Sequence, residues 1–369
     1  MAKNTTKAAV RETGKPTTGL DLGDRYSCYY TLDAAGENVE SGRVKTNREG
    51  LEKRFGGQEA ARVVIEAGTH SPWVSRLLAD LGHEVIVANA RKVRLISDNE
   101  GKDDPVDAEL LARLGRVDVK LLSPIQHRGA EAQAEMAVIR ARDALVGARV
   151  QLVNHVRGAV KSLGSRLEKS STRSFADKVG EQVPEALRAA LEPVLEVIAE
   201  ITSQIGGYDQ QIRHSCQEKY PETALLTAVP GVGALTALGY VLTLEDPHRF
   251  VNSRAVGSFL GLRPGRDKSG QHDPELRITK AGSPLLRRLV VGSAQYILGP
   301  FGPDTDLRRW GLKLAGRGRK NAKKRAVVAV ARKLAVLLHR LWVNGEAYQP
   351  LYQAERAAAA TAVAAGARS

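Results

Sequence analysis

"TTGLDLGDRYSCYYTLDAAGENVESGRVKTN", residues 17–47, decides the fold class of the first third of the chain. Its β-branched and aromatic residues cluster in short runs broken by turn formers. The pattern predicts a strand through Leu20 and Asp21, a second around Ser27 to Leu32, a turn at Ala35-Gly36 and a third around Glu40 to Val44. Downstream, "REGLEKRFG" reads as a short helix and "ARVVIEAG" as a buried strand ending in Glu66. "PWVSRLLADLG" reads as an amphipathic helix closing at Gly82, and "HEVIVANA" as another strand. A three-strand meander followed by alternating helix and strand describes a mixed α/β domain over residues 17–125.

The acidic residues of this domain need a separate account. In "GKDDPVDAELLARL", residues 101–114, Asp104 is placed as a helix N-cap with Pro105 at the first helical position, and Asp107 sits where the helix dipole favours negative charge. Helix initiation alone accounts for that pattern. A second account is that Asp104 and Asp107, three apart, project from one helix face toward a common point, where they repel unless a cation lies between them. Asp21, expected in mid-strand, is costly to bury unless paired or metal-bound, and Glu66 is an odd charge at the end of a β-branched run. A sheet-borne Asp, a second-strand Glu and a helical Asp pair can converge on one or two hard divalent ions such as Mg²⁺, which prefers oxygen ligands. Two ions about 4 Å apart activate one oxygen and stabilise the leaving one at phosphorus.

Composition points the same way. At 369 residues the chain is long enough for two or three domains. Its formal charge of +14 favours a polyanionic partner, and between Arg308 and Arg340 there are twelve Lys or Arg and no Asp or Glu. Cys28 and Cys216 fit no metal spacing and are consistent with a reducing compartment. No apolar run reaches membrane-spanning length and residues 1–16 have no signal-peptide core, so no membrane partner and a cytoplasmic, nucleoid-associated location are expected. Residues 1–16 read as disordered.

From 126 to 221 the pattern changes to long helices. Val138, Leu145 and Leu152 fall seven apart, with Val156, Val160 and Leu163 continuing the stripe. After a Ser-rich break near 165–183, Leu187, Leu191, Val194, Ile198, Ile201, Ile205, Tyr208 and Ile212 recur at threes and fours. This is the spacing of a coiled coil or helical hairpin, packed internally or protruding as an arm that joins subunits. Residues 222–345 read as a mainly helical domain. Pro230-Gly231-Val232-Gly233 makes a helix-hairpin-helix-like turn, suited to seating a phosphate or to close helix packing. A helix, an exposed loop and a helix follow, then the basic stretch "GRGRKNAKKR", the helix "AVVAVARKLAVLLHRLW" and a flexible tail over 346–369.

With these pieces in order, "GLDLG", "VVIEAGTHSPWV" and "KDDPVDAELLARL" resemble the three acidic motifs of the DEDD insertion-sequence transposases of the "one-ten" family. "VPGVGALTAL", "RFVNSRAVGSFLGLRPGRDKSGQ" and "RITKAGSPLLRRLVVGSAQ" resemble that family's C-terminal domain. The resemblance runs from about residue 17 to 345. It implies an RNase H/RuvC-like first domain carrying Asp21, Glu66, Asp104 and Asp107 as the metal-binding acids. It also implies a nucleophilic serine, which maps onto Ser269. The family commonly reads Lys-Thr-Asp where this chain has Lys102-Asp103-Asp104, so Asp103 stands as an alternative to Asp104. The implied activity is Mg²⁺-dependent cutting and rejoining of donor and target DNA by a homodimer or homotetramer, guided by a structured bridge RNA.

Arg266 and Lys268 supply charge beside Ser269, and Gly270 lets the backbone approach. Arg317, Arg319, Lys320, Lys323, Lys324 and Arg325 form a basic stretch suited to phosphate contacts. The alternative activity is a RuvC-like junction nuclease using water as nucleophile. An actin-like ATPase, which "GLDLGDRYS" resembles only at one loop, is disfavoured by the helical, basic second half. A non-catalytic RNA scaffold has no reason to place four acids toward a polyanion.

Overall fold

The computed structural model describes residues 15–90, 104–267, 269–270, 276–318 and 321–352. The chain divides into two compact units, residues 1–130 and 131–369. No helix among the described residues is long and apolar enough to cross a membrane.

The first unit is built on a five-stranded mixed sheet in the order β3-β2-β1-β4-β5. Strands β1 (Thr17–Asp21), β2 (Tyr26–Leu32) and β3 (Asn38–Lys45) form the antiparallel meander, while β4 (Arg62–Glu66) runs parallel to β1 and β5 (Glu84–Ala88) parallel to β4. The sequence expectation holds for each, with one shift: β1 ends at Asp21, so this acid closes the strand rather than sitting inside it. One face of the sheet packs Leu20, Val63 and Ile65 against α1 (Arg48–Phe55) and α2 (Ser71–Asp80) through Leu51, Phe55, Val74, Leu77 and Leu78. The other face packs Val64 and Ala88 against Leu111 of α3 (Asp104–Val117). This mixed α/β sandwich is consistent with the RNase H-like domain that the resemblance implies.

Two glycines explain how closely α3 lies on the sheet. A Cβ on Gly19 would overlap the carbonyl oxygen of Ala108, and one on Gly115 would overlap Cγ2 of Val64. Thr17 lies beneath Gly115 and Gly19 beneath Ala108, so α3 runs back along β1 and its first turn arrives at Asp21. The helix begins at Asp104 itself, one residue earlier than the capping pattern predicts, with Pro105 second.

The second unit is helical. Helix α4 (Ala130–Ser162) and helix α6 (Glu185–Glu218) lie side by side and antiparallel, with the short α5 (Phe175–Val179) between them in sequence. On α6, Leu191, Ile198, Ile205 and Ile212 are buried at intervals of seven, as expected. On α4 the expected stripe holds at Val156 and Val160 and is displaced before them. The buried apolar residues are Ala132, Met136, Ile139, Val153, Val156 and Val160, whereas Val138, Leu145 and Leu152 are only half-buried. Leu163 falls beyond the helix end and is exposed, because the chain turns at Gly164 with φ +80°.

Helices α7 (Thr223–Thr227), α8 (Ala234–Leu244), α9 (Ser253–Phe259), α10 (Pro284–Leu298) and α12 (Ala322–Asn344) enclose a second core. Its centre is Tyr240, fully buried, whose hydroxyl donates to the Ala335 carbonyl at 2.6 Å. A helix with no separate sequence expectation, α11 (Asp306–Ala315), starts where Thr305 Oγ1 accepts the Arg308 N–H at 3.1 Å. It packs Leu307 and Trp310 on the same core.

Candidate active site

The sheet register sets the acids. Leu20 of β1 pairs with Ile65 of β4, and each is followed by the acid that ends its strand, Asp21 and Glu66. Side chains alternate across a strand, so Leu20 and Ile65 enter the core under α1 and α2 while Asp21 and Glu66 face the side that α3 covers. Asp104 and Asp107 stand in the first turn of α3. Asp21, Glu66 and Asp107 are half-buried, and Asp104 is exposed.

Their electrostatic consequence is read at Asp21, whose pKa is pushed up to about 6. Burial is the largest cause, followed by the charges of Asp104, Asp107 and Glu66. Two of these aspartates, Asp104 and Asp21, also help burial raise the thiol of Cys28, which lies opposite Asp21 on β2. Four carboxylates thus act on one another across a strand end, a neighbouring strand end and a helix start. Among the described residues, no group of three or more His, Cys, Asp or Glu side chains is placed to hold a metal ion as it stands. The donor set nevertheless has the chemistry that suits a hard divalent cation: oxygen ligands only, whose charges raise the pKa of Asp21 in the absence of a cation.

Two groups at this end of the sheet were not assigned from sequence. The loops that leave β1 and β4 bring Asp24 Oδ1 to 3.6 Å from His70 Nε2, and Trp73 Nε1 donates to His70 Nδ1 at 3.1 Å. Further along, the buried Ser71 Oγ lies 2.8 Å from His127 Nε2. Burial, then Arg76 and Arg128, hold His127 below the usual histidine range. The motif "EAGTHSPW" carried the signal, but its partners Asp24 and His127 are remote in sequence.

Ser269 lies in the second unit, on the loop between α9 and α10. The base of that loop is zipped: Pro264 and Ile278 form an antiparallel bridge, the Gly265 N–H donates to the Arg277 carbonyl, and the Thr279 N–H to the Arg263 carbonyl, both at 2.9 Å. Gly282, with φ +69°, presses so closely on Phe259 that a side chain would overlap the Phe259 carbonyl. Arg287 donates to the carbonyls of Leu260 and Ala281 and ties the base to α10. Ser269 and Gly270, the latter with φ +58°, are exposed on the far part of this loop, as is Arg266.

Lys323, Lys324 and Arg325 are exposed in the first turn of α12, and Arg317 is exposed after α11. Lys268, Arg319, Lys320 and Asp103 lie outside the described residues. The turn at Gly231 and Gly233 borders a cavity of about 540 Å³ whose wall includes Thr236, Arg288 and Tyr296. Gly231, with φ +83°, packs against Tyr296 and Ser293 of α10, whereas Gly233 leaves the start of α8 open.

A mixed α/β unit bearing four acids, followed by a basic helical unit, is the architecture of a DNA transposase of the DEDD type, and the comparisons with known proteins agree. Residues 18–164 match the DEDD transposase model of the IS110 group, and residues 223–304 match the transposase family IS116/IS110/IS902. Together the matches span more than half of the chain, and the protein belongs to the IS110 family of insertion-sequence transposases. It is 29% identical over 342 residues to the transposase for insertion sequence element IS1111A of Coxiella burnetii, covering 90% of both chains. It is 29% identical over 319 residues to a putative transposase of Sinorhizobium fredii, covering 83% of this chain and 79% of the other. It is also 27% identical over 241 residues to the transposase for element IS1328 of Yersinia enterocolitica, covering 64% and 70%.

Proposed function

We propose that this transposase cuts and rejoins DNA by Mg²⁺-assisted strand transfer, with Asp21, Glu66, Asp104 and Asp107 as metal ligands and Ser269 as nucleophile. The observation that carries the reading is the placement of Asp21 and Glu66 at adjacent strand ends with Asp104 and Asp107 in the first turn of the helix covering them, an arrangement that also raises the Asp21 pKa. Such mutual repulsion beside a polyanionic substrate has one economical use, which is to hold divalent cations. When bound, Mg²⁺ supplies a Lewis acid that lowers the charge cost of the pentacovalent phosphorus.

The chain's own residues do the rest. Asp104 and Asp107 are carried by a helix docked on Gly19, so their position is fixed by packing rather than by a flexible loop. The Ser269 hydroxyl loses its proton and its Oγ bonds to phosphorus as the bond from phosphorus to the 3′-oxygen breaks. The 3′-oxygen takes up a proton. The products are a phosphoserine and a free 3′-hydroxyl, and attack of a 3′-hydroxyl on a phosphoserine rejoins strands. Arg266 and Lys268 are positioned in sequence to balance phosphate charge near Ser269.

A structured guide RNA and the donor and target DNA are the proposed partners, in a homodimer or homotetramer located with the nucleoid. The antiparallel pair α4 and α6 is the proposed coiled-coil arm between subunits. The start of α8 at Gly233, within a helix-hairpin-helix-like turn, is a proposed phosphate seat. Support for a nucleic-acid partner comes from Lys323, Lys324 and Arg325, which crowd a helix N-terminus where the dipole disfavours cations.

The test is to incubate the full-length protein with its flanking transcript, matching DNA and Mg²⁺, and to look for a protease-sensitive protein–DNA linkage. Ser269→Ala is expected to abolish the linkage and recombination while RNA binding persists. Recombination by Ser269→Ala overturns the nucleophile, and strand cleavage without any linkage points to water instead.

A further inference from the structure

The hairpin of α4 and α6 carries a feature that the strand-transfer chemistry does not use. Its two ends are apolar. Met136, Ile139 and Ile212 join one cluster, and Val153, Val156, Val160, Leu191, Leu195 and Ile198 form another. Between them, beside the buried Ile205, α4 contributes arginines to the seam. Arg142 Nε donates to Asp209 Oδ1 at 2.6 Å, and Arg149 Nη1 donates to Thr202 Oγ1 at 3.2 Å. The two contacts share one register, since seven residues forward on α4 match seven residues back on α6. Arginine therefore occupies two successive inward positions where apolar residues close the seam elsewhere.

At this place the hairpin holds a cavity of about 360 Å³. Its wall includes Arg142, Arg149, Arg173 and Arg213, and Asp209 is its one acid among the described residues. Arg149 is 8% exposed, and its buried Nε has no hydrogen-bond partner among the described residues. A buried guanidinium with an unused donor is costly unless an anion meets it. Burial and the neighbouring Arg142 and Arg173 all push Arg149 below its ordinary value, with Asp209 opposing.

Gly206 gives an independent indication. It also lines the cavity, and it is followed by Gly207 in the middle of a 34-residue helix. Glycine weakens a helix interior relative to alanine. Close packing does not explain either residue, because a Cβ on each would meet nothing within 4 Å. At Gly206 the missing side chain keeps the cage open.

We propose that this arginine cage binds a phosphodiester oxyanion of a nucleic-acid strand, fixing that strand along the α4–α6 hairpin. Guanidinium forks match phosphate oxygens in geometry as well as charge. Among the described residues lining the cage, four guanidinium groups meet a single carboxylate, that of Asp209, so the lining carries a net positive charge. The inference rests on the nucleic-acid partners proposed above, but the covalent-linkage assay with Ser269→Ala does not read this site, so the two can fail separately.

The experiment uses the full-length protein and two variants. Arg149→Gln removes the buried charge, and Gly206→Leu fills the cage while keeping every charge and strengthening the helix. Inorganic phosphate, compared with chloride at equal ionic strength, is expected to raise the unfolding midpoint of the wild type and of neither variant. Affinity for a labelled structured RNA or for duplex DNA is expected to fall about tenfold in both variants, with the slope of log affinity against log salt shallower by roughly 0.7–0.9, the share of one phosphate. Loss confined to RNA names the guide as occupant, and loss confined to DNA names the substrate; either supports the site. Variants that fold and keep wild-type affinity and slope for both nucleic acids overturn the proposal, whether or not phosphate stabilises the fold. A wild type indifferent to phosphate overturns it as well.

Discussion

Gly19 lies directly against Ala108: a methyl group placed on Gly19 would overlap the Ala108 carbonyl oxygen and stand 2.5 Å from the Ala112 nitrogen. Helix α3 rests on bare strand backbone there, and this contact sets how near Asp104 and Asp107 come to Asp21. Gly19→Ala is expected to destabilise the protein by about 1–3 kcal/mol, the usual cost of overpacking. It should also lift the first turn of α3 away, so that the Asp21 pKa falls from about 6 toward the ordinary carboxylate value. Denaturant unfolding and an NMR titration of the Asp21 carboxyl read the two effects. An unchanged titration would show that the helix does not position the acids.

The raised pKa of Asp21 fixes a pH dependence. The folded state holds this proton up to about pH 6, whereas the unfolded chain releases it near 3.8. The folded metal-free protein is therefore penalised as pH rises from about 4 through 6, and the penalty is constant above. Thermal unfolding without divalent ions should show that loss of stability, and Asp21→Asn should remove it. Mg²⁺ competes with the proton, so its stabilising effect should grow as pH rises through 6 and be absent in Asp21→Asn. A Mg²⁺ effect that is equal at pH 5 and pH 8 would exclude Asp21 from the ligand set.

Much of this site was legible in the sequence because its elements are local. Alternation marks the strands, and the order of Asp21, Glu66, Asp104 and Asp107 on successive elements implied a shared edge of the sheet. What was not legible depends on packing between distant segments. Nothing in "GLDLG" says that its first glycine is a bearing surface for Ala108. The pairing of His70 with Asp24, and of Ser71 with His127, requires the fold. Arg142 and Arg149 carry no signal of their own in the sequence, and only the neighbouring α6 shows that they face inward. Part of the α4 stripe was misplaced for the same reason, since Val138, Leu145 and Leu152 obey the helical period but Ile139 and Val153 are the residues buried, while Val156 and Val160 are buried as expected.

Glu135 is a buried carboxylate held in place by two donors. Ser215 Oγ donates to Oε2 at 2.9 Å and Lys219 Nζ to Oε1 at 2.6 Å. Burial alone would raise its pKa, but Lys219 and then Ser215 outweigh it and the net shift is downward. The stabilisation is present at neutral pH and lost as pH falls through the carboxylate range. Lys219→Met, which keeps the stem and removes the charge, is expected to cost about 1–3 kcal/mol at pH 7, since it leaves a buried acceptor unmatched. The cost should shrink at pH 4. A penalty independent of pH would mean that the lysine acts through its apolar stem alone.

Lys323, Lys324 and Arg325 sit in the first turn of α12, after Asn321 with its left-handed φ of +63°. Cations at a helix N-terminus oppose the dipole, so neutralising them with Gln should leave stability unchanged or raise it by up to about 1 kcal/mol. Binding should move the other way. Each phosphate no longer neutralised takes roughly 0.7–0.9 from the slope of log affinity against log salt, so a triple substitution engaging three phosphates should flatten that slope by about 2–3. The weakening should be similar for matched and unmatched sequences, because contacts to the phosphate backbone carry no base information. Titrating the full-length protein with RNA and with duplex DNA across a salt series separates the cases. A triple variant with the wild-type slope on both would place the phosphate contacts elsewhere in the second unit.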